Sequence, residues 1–252
     1  EEAMKVTRGW HGKAIFVGLI TFCSVGLVSA QDAPMPNRLV VVELFQSQGC
    51  SSCPSAEANL NAIAGEPNVL ALSFGVTYWD DSGWKDTFAN ELYTQRQWNY
   101  AHHQGRDTVW TPQIYVNGHT DLVGTDRAQL DEAIVQAGGR GPSLTWREGK
   151  LLVHAADPPK NALDVWLVRY DPRTLHVAIG GGENSGRTLP QRDVVRELVH
   201  LGTWDGSEHA YTLPPSTTPG LMTAAMIQVS SGGNIVSASV KDTDNAVTIL
   251  KP

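Results

Sequence analysis

The chain has 252 residues, and its 19 Lys and Arg against 26 Asp and Glu give a net charge of −7. Hydrophobic residues make up 41% and charged residues 18%, which is typical of a folded globular protein and excludes a largely disordered one. The chain has no basic run, which argues against nucleic acid as a partner, because phosphate binding needs clustered Lys and Arg.

Residues 1–30 are predicted to be a signal peptide. Basic side chains precede an almost unbroken apolar run over residues 14–28, and residues 28–30 suit cleavage by signal peptidase. The run is short for a membrane span, which needs roughly 20 residues, so a membrane anchor is the less favoured alternative. We therefore expect a periplasmic or secreted protein with no stable membrane span after signal cleavage.

The mature chain is expected to begin with a strand, a cysteine pair, a helix and a second strand. Residues 39–45 are rich in β-branched side chains and typical of a buried strand. Cys50-Ser51-Ser52-Cys53 follows, and residues 51–64 carry apolar side chains at helical spacing. Residues 69–74 form a second apolar run that predicts another buried strand.

An insertion and a hairpin are predicted next. The insertion covers residues 78–103, is rich in aromatic side chains, and includes a helix over 87–103. Residues 113–118 predict a strand that runs into an Asn-Gly turn, and residues 120–124 predict its partner strand.

A helix and a change of pattern mark the predicted domain boundary. The helix covers residues 126–137, is capped by Thr125, and ends at a Gly-rich, Pro-containing segment. We therefore place one domain at residues 31–140 and a second, β-rich domain at residues 141–252. The second part predicts an all-β sandwich, since strand-forming runs alternate with turn residues. Its strand candidates are 144–146, 151–155, 162–170, 175–179, 194–204, 223–229, 235–240 and 246–250.

The number and spacing of the cysteines indicate that the C-x-x-C is a reactive pair and not a stabilising disulfide. Cys23 is lost with the signal peptide, and the remaining pair closes a ring so short that a disulfide contributes about 2 kcal/mol, against roughly 3 kcal/mol for a 15-residue loop. At a helix N-terminus, free N–H groups and the helix dipole stabilise a thiolate on the first sulfur. The sequence therefore predicts that Cys50 is an accessible nucleophile and that Cys53 resolves the mixed disulfide.

Other uses of the cysteines stay open at this point. Zinc takes four ligands, and the sequence has no second pair at metal-binding spacing beyond the adjacent His102-His103. Copper accepts thiolate and imidazole ligands, so a copper chaperone using Cys50, Cys53 and His103 is one alternative to an enzyme. A protein-interaction scaffold with an unreactive disulfide is another. No resident cofactor is predicted.

Motifs along most of the mature chain resemble one family. They are Glu43–Phe45, Gln48–Pro54, Tyr78–Asp80, Gly83–Asp86, Thr111–Gln113, Gly124–Arg127 and Glu183–Leu189. In these residues the chain resembles the exported bacterial domain of unknown function 1223 family, and around the cysteines it resembles the thioredoxin superfamily. The resemblance implies an α/β thioredoxin-like domain followed by an all-β, sandwich-like domain, and it implies no particular reaction. Gly49 and the Ser-Ser dipeptide differ from thioredoxin, which leaves the direction of electron flow open.

Two further site positions follow from this comparison and from the order of the elements. In thioredoxin-like folds a cis-proline faces the C-x-x-C, and we expect Thr111-Pro112 to take this place, where the backbone of Thr111 can pair with an extended substrate. Glu43, seven residues before Cys50, is either a proton acceptor for Cys53 or an ordinary strand-edge carboxylate.

The sequence as a whole therefore predicts an exported thiol–disulfide oxidoreductase. Its expected substrate is a cysteine-containing protein or a small disulfide.

Overall fold

The first predicted strands and helix lie close to their expected positions. The computed structural model describes residues 39–139 and 141–242. β1 (Val40–Gln46) leads through the cysteine pair into α1 (Cys53–Ile63), which is followed by β2 (Val69–Gly75). Every residue of β1 and β2 is buried, as expected of strands covered on both faces of a sheet.

The remaining elements of the described residues include the predicted hairpin and final helix. They are α2 (Glu91–His103), β3 (Gln113–Val116), β4 (Thr120–Leu122), α3 (Arg127–Gln136), β5 (Leu144–Arg147), β6 (Lys150–Val153), β7 (Leu163–Asp171), β8 (Leu175–Ala178), β9 (Thr188–Gln191), β10 (Val194–Trp204), β11 (His209–Thr212), β12 (Met222–Val229) and β13 (Ile235–Val240). β3 and β4 form the hairpin, with Asn117 and Gly118 at positive φ in its turn. The cap of α3 is Asp126 instead of Thr125, because the Asp126 carboxylate accepts from two main-chain N–H groups.

One mixed sheet of eight strands carries most of the described residues. Its order is β13-β12-β7-β10-β2-β1-β3-β4. β1 and β2 are parallel, and β10 joins β2 in parallel where Val194 lies opposite Ser73. The other neighbouring strands are antiparallel. Two smaller sheets, β11-β6-β5 and β8-β9, accompany it.

The expected fold class is wrong. The sequence predicts an α/β thioredoxin-like domain followed by an all-β sandwich, whereas β7, β10, β12 and β13 extend the sheet of β1 to β4. The described residues are mostly β, with thirteen strands and three helices. The physical reason is that β2 needs a partner on its free edge and β10 supplies it. Local periodicity predicts strands but does not predict which neighbour each strand pairs with. The strands β9 and β11 lie outside the runs that the sequence predicts as strands.

The two faces of the large sheet carry separate cores. On one face α1 and α3 pack against β1 and β3, where Leu44 and Leu60 are fully buried. On the other face α2 packs against β1 and β2, where the Phe45 and Tyr100 rings meet edge to face. A third core lies between the β11-β6-β5 sheet and the strands β7 and β12. Successive side chains of β1 therefore enter opposite cores.

Some predictions concern other parts of the chain. The predicted signal peptide at residues 1–30 and the last strand candidate at 246–250 lie outside the described residues. Among the helices that the structure describes, none is both long and apolar enough to cross a membrane. The predicted domain limits stay a prediction, and strands from both sides of residue 140 share the large sheet.

Candidate functional site

The cysteine pair lies where the chain leaves β1 and enters α1. Cys50 and Cys53 are joined in a disulfide, with their Cα atoms 5.4 Å apart. Cys53 is the first residue of α1, and its main-chain N–H donates to the Cys50 carbonyl with an N···O distance of 3.2 Å. Pro54 follows in the first turn, where a missing N–H costs little. The pair thus lies at the positive end of α1, as the sequence predicts.

The start of α1 favours negative charge beside Cys50. The first N–H groups of a helix have no intrahelical partner, and the helix dipole adds partial positive charge at that end. The Ser51 N–H donates to the Glu183 carboxylate with an N···O distance of 2.9 Å. This hydrogen bonding from Ser51 holds the pKa of Glu183 below its ordinary value. The helix end likewise favours a thiolate on Cys50 when the disulfide is reduced, whereas the neighbouring Glu183 carboxylate opposes that charge.

Both cysteines are buried, and a loop from the second half of the chain binds the segment that carries them. Cys50 and Cys53 are each 1% exposed. The sequence predicts an accessible Cys50 sulfur, and that prediction is wrong. The loop comprises residues 179–187, between β8 and β9, and is called the β8–β9 loop below. Asn184, a buried residue of this loop, is 134 positions from Cys50 in the sequence, so no local pattern connects the two.

Asn184 and Glu183 bind the main chain of the cysteine segment. The Asn184 amide is fully buried and donates to the carbonyls of Gln48 and Cys50, with N···O distances of 2.9 and 2.8 Å. The Glu183 N–H donates to the Gly49 carbonyl at 3.3 Å. These bonds hold the loop against the main chain of residues 48–50, next to the disulfide.

Trp84 and a run of glycines allow the loop to approach closely. Gly180, Gly181 and Gly182 lie against the segment that carries Trp84, and a Cβ atom on Gly180 would be 2.9 Å from the Trp84 ring. Gly182 also has φ +67° and lies against Gly49. Glycine adopts this backbone conformation without steric cost, so the close approach depends on it.

Gln48 connects the cysteine segment to the segment of Trp84 and Asp86 and to β9. Its main-chain N–H donates to Asp86 at 2.7 Å, and its side-chain amide donates to Gln191 of β9 at 3.0 Å. Its side-chain oxygen accepts from the Trp84 indole N–H at 3.0 Å. Burial raises the pKa of Asp86, while the hydrogen bond from Gln48 opposes that rise. This network fixes the chain immediately before Cys50.

A buried carboxyl group lies on the same helix face as Cys53. Glu57 follows Cys53 by four residues on α1, is 4% exposed, and lines with Cys53 a small cavity of about 40 Å³. Burial raises the pKa of Glu57 from 4.5 to about 8, although the Ser73 hydroxyl donates to its Oε2 at 3.1 Å. Its Oε1 has no hydrogen-bond partner among the described residues. The reasoning from sequence missed Glu57, and the four-residue spacing on one helix is the signal that identifies it.

Glu43 lies on the other face of the sheet. Its carboxylate pairs with the Arg96 guanidinium at 2.7 Å and accepts a hydrogen bond from the Tyr100 hydroxyl, and both partners belong to α2. Cys53 and Glu57 belong to α1, which packs on the opposite face. The structure therefore does not bring Glu43 to Cys53, and its contacts describe a buried ion pair beneath α2.

Thr111 and Pro112 lie at the same end of the strands as the cysteine segment. The peptide bond between them is cis, as expected. β3 runs antiparallel to β1, with Gln113 opposite Phe45. The start of β3 therefore lies beside the end of β1, where the cysteine segment begins. Pro112 is buried and Thr111 is half-buried.

The histidines considered for copper lie elsewhere. His102 and His103 end α2, where His102 packs against Trp98. Within residues 39–139 and 141–242, no three side chains among His, Cys, Asp and Glu are grouped to hold a metal ion. The structure thus does not assemble the ligand set of Cys50, Cys53 and His103.

Comparisons with known proteins find relatives over most of the described residues. A family model for a protein of unknown function, DUF1223, matches residues 41–228. The crystal structure of protein AGR_C_4864 from Agrobacterium tumefaciens is similar with a TM-score of 0.66 and 29% identity, over 81% of this chain and 95% of that chain. HBP35 of Porphyromonas gingivalis is similar with a TM-score of 0.54 and 13% identity, over 85% of this chain and 78% of that chain, which shows a shared fold alone. No curated protein matches the chain.

Proposed function

The chain belongs to the DUF1223 family of proteins of unknown function, and from this premise we propose that it is an exported thiol–disulfide oxidoreductase. The observation that carries the proposal is the Cys50–Cys53 disulfide at the positive end of α1. A disulfide across so short a loop adds little stability, whereas a helix N-terminus makes a reduced cysteine an effective nucleophile. The partner is a cysteine-containing protein or a small disulfide, met in the periplasm or outside the cell.

The exchange takes two steps from the reduced form. The Cys50 thiolate attacks one sulfur of a partner disulfide, which forms a mixed disulfide and releases one partner thiolate. The Cys53 thiolate then attacks the Cys50 sulfur, which forms the Cys50–Cys53 disulfide and releases the second partner thiolate. Two electrons pass to the partner, and its two thiolates take up the protons that the cysteines lose. The reverse steps oxidise a partner dithiol.

Glu57 is the group that we assign to proton transfer at Cys53. Cys53 reacts as a thiolate, so its thiol proton needs an acceptor, and in the reverse direction its thiolate needs a donor. A pKa of about 8 for Glu57 lies near neutral pH, where one carboxyl group can serve in both directions. Glu57 and Cys53 share one cavity, whereas Glu43 is occupied by Arg96.

Thr111 is the backbone position that we assign to partner docking. It precedes β3 at the end of the strands where the cysteine segment leaves β1. Main-chain groups just beyond the end of a strand can pair with an extended partner polypeptide. The order of β1, C-x-x-C, α1 and a Thr-Pro before the strand beside β1 supports placing the site within the thioredoxin superfamily, and we extend that likeness to the chemistry.

Exchange with a defined disulfide tests the proposal. The full chain is reduced with dithiothreitol, freed of it by gel filtration, and mixed with a self-quenched fluorescent glutathione disulfide. One probe disulfide should be reduced for each wild-type molecule, and Cys50→Ser should reduce none. Cys53→Ser should stop at the mixed disulfide, which mass spectrometry detects as one added glutathione adduct.

Cys23 provides the control for this experiment. Cys23→Ser removes a cysteine outside the pair and should reduce the probe as the wild type does. Equal and slow probe reduction by the wild type and Cys50→Ser would contradict the assignment of an oxidoreductase.

A further inference from the structure

The β8–β9 loop is supported independently of the cysteines that it covers. β8 and β9 form a two-stranded ribbon outside the large sheet. The loop at its tip is closed by its own main-chain bonds, in which the Ile179 N–H donates to the Arg187 carbonyl and the Gly186 N–H donates to the Ile179 carbonyl, both at 2.8 Å. The Asn184 side-chain oxygen also accepts from the Arg187 guanidinium, at 2.6 Å. The tip can therefore leave the cysteine segment while the ribbon stays paired.

Residues 183–187 contact the cysteine segment through few and polar groups, whereas Gly180 and Gly182 of the same loop lie against Trp84. The polar contacts are the two bonds from the Asn184 amide, the bond from the Glu183 N–H to Gly49, and the bond from Ser51 to the Glu183 carboxylate. Within residues 183–187, Asn184 is buried and its neighbours are exposed. Segments with few apolar contacts open at a much lower free energy than a protein core does.

The groups beneath the loop are those that a partner needs. The loop occupies the carbonyls of Gln48, Gly49 and Cys50 and the N–H of Ser51. An extended polypeptide recognises a surface of this kind through its own main-chain donors and acceptors. The loop and a partner chain cannot hold these groups at the same time.

We propose that the β8–β9 loop is a lid that keeps the Cys50–Cys53 disulfide unreactive until a partner displaces it. The lid rests on the proposed function, whose redox centre it regulates. Asn184 keeps the lid closed, because it is fully buried and its amide donates to the main chain on both sides of Gly49. These two hydrogen bonds are called the latch bonds below.

The rate at which dithiothreitol reduces the disulfide measures lid opening without any protein partner. One dithiothreitol thiolate attacks the Cys50 sulfur, its second thiol closes the oxidised ring, and two electrons reduce the cysteine pair. The new thiols are counted by mass spectrometry after rapid trapping with iodoacetamide. Asn184→Ala removes both latch bonds, so we expect reduction to be about tenfold faster than in the wild type. Glu183→Gln keeps the shape, removes the charge, and should give a smaller increase.

Two control variants separate lid opening from other effects. Asn59→Ala removes another asparagine amide, which donates to the Gly124 carbonyl at 2.9 Å away from the lid, and should leave the rate unchanged. Leu151→Ala weakens the third core and lowers global stability. If reduction requires global unfolding, Leu151→Ala will speed it as much as Asn184→Ala does, and the lid is excluded. A rate for Asn184→Ala within twofold of the wild type also overturns the lid.

The two proposals fail in different ways. A lid on an inert disulfide gives faster dithiothreitol reduction in Asn184→Ala but no reduction of the glutathione probe by any variant. An oxidoreductase without a lid reduces the probe through Cys50 and shows no response to Asn184→Ala in either measurement.

Discussion

Replacement of Glu57 by glutamine should stabilise the protein above neutral pH and leave its stability almost unchanged in acid. Glu57 is buried beside Cys53, and burial raises its pKa from 4.5 to about 8. Glutamine has nearly the same shape and is neutral at every pH. The variant therefore removes the cost of a buried carboxyl group that must keep its proton.

The sign and size of the effect follow from proton linkage. Below pH 4.5 the carboxyl group is protonated in both the folded and the unfolded chain, so the substitution changes little. Between pH 4.5 and about 8 the folded chain keeps a proton that the unfolded chain has lost, so the stability of the wild type falls as the pH rises. At about 1.4 kcal/mol for each pH unit, the loss is at most about 5 kcal/mol and is complete above pH 8.

Urea unfolding followed by tryptophan fluorescence at pH 5, 7 and 9 measures this difference. The free energy of unfolding of Glu57→Gln minus that of the wild type should be below about 1 kcal/mol at pH 5 and positive by several kcal/mol at pH 9. A flat difference for Glu57→Gln would show that this carboxyl group ionises normally in the fold and would remove it from the proposed proton transfer.

Two further predictions concern the sheet and its buried ion pair. Arg96→Ala leaves the Glu43 carboxylate buried without its cation. The free energy of unfolding in urea titrations at pH 7 should therefore fall by about 3–5 kcal/mol. A loss below about 1 kcal/mol would mean that the pair is already hydrated. A fragment of residues 31–140 lacks β10, so the edge of β2 is open, and we expect no cooperative thermal transition by circular dichroism. A cooperative transition would support the predicted domain limit at residue 140.

The parts of the site that the sequence predicts are those linked by short spacing. Cys50 and Cys53 are adjacent to a clear helix signal, so their place at the start of α1 follows from local pattern. Glu43 shows the limit of this reasoning, since the parity of its position on β1 points it toward α2 and away from Cys53. Glu57 is the acid on the correct helix face, and the four-residue spacing from Cys53 contains that information.

The positions of the strands can be predicted from the sequence, but the pairing of the strands in the sheet cannot. The runs that become β7, β10 and β12 have the composition and length of strands, so their positions follow from the sequence. Their partners do not, because a strand presents the same main-chain donors and acceptors to any free edge. The parallel pairing of β10 with β2 involves one register position, Val194 opposite Ser73, and this long-range contact joins strands from both halves of the sequence in one sheet.

The cysteines lie where the two halves of the sequence meet, which explains why the motif alone does not determine their reactivity. The first half supplies α1 and the sulfur atoms, and the second half supplies Asn184 above them and Gln191 beside Gln48. β10 follows β9 directly and pairs with β2 at Val194, so the shared sheet places β9 next to the cysteine segment. We therefore expect Cys50 to be more exposed in a chain that lacks the second half, because Asn184 and Gln191 are then missing.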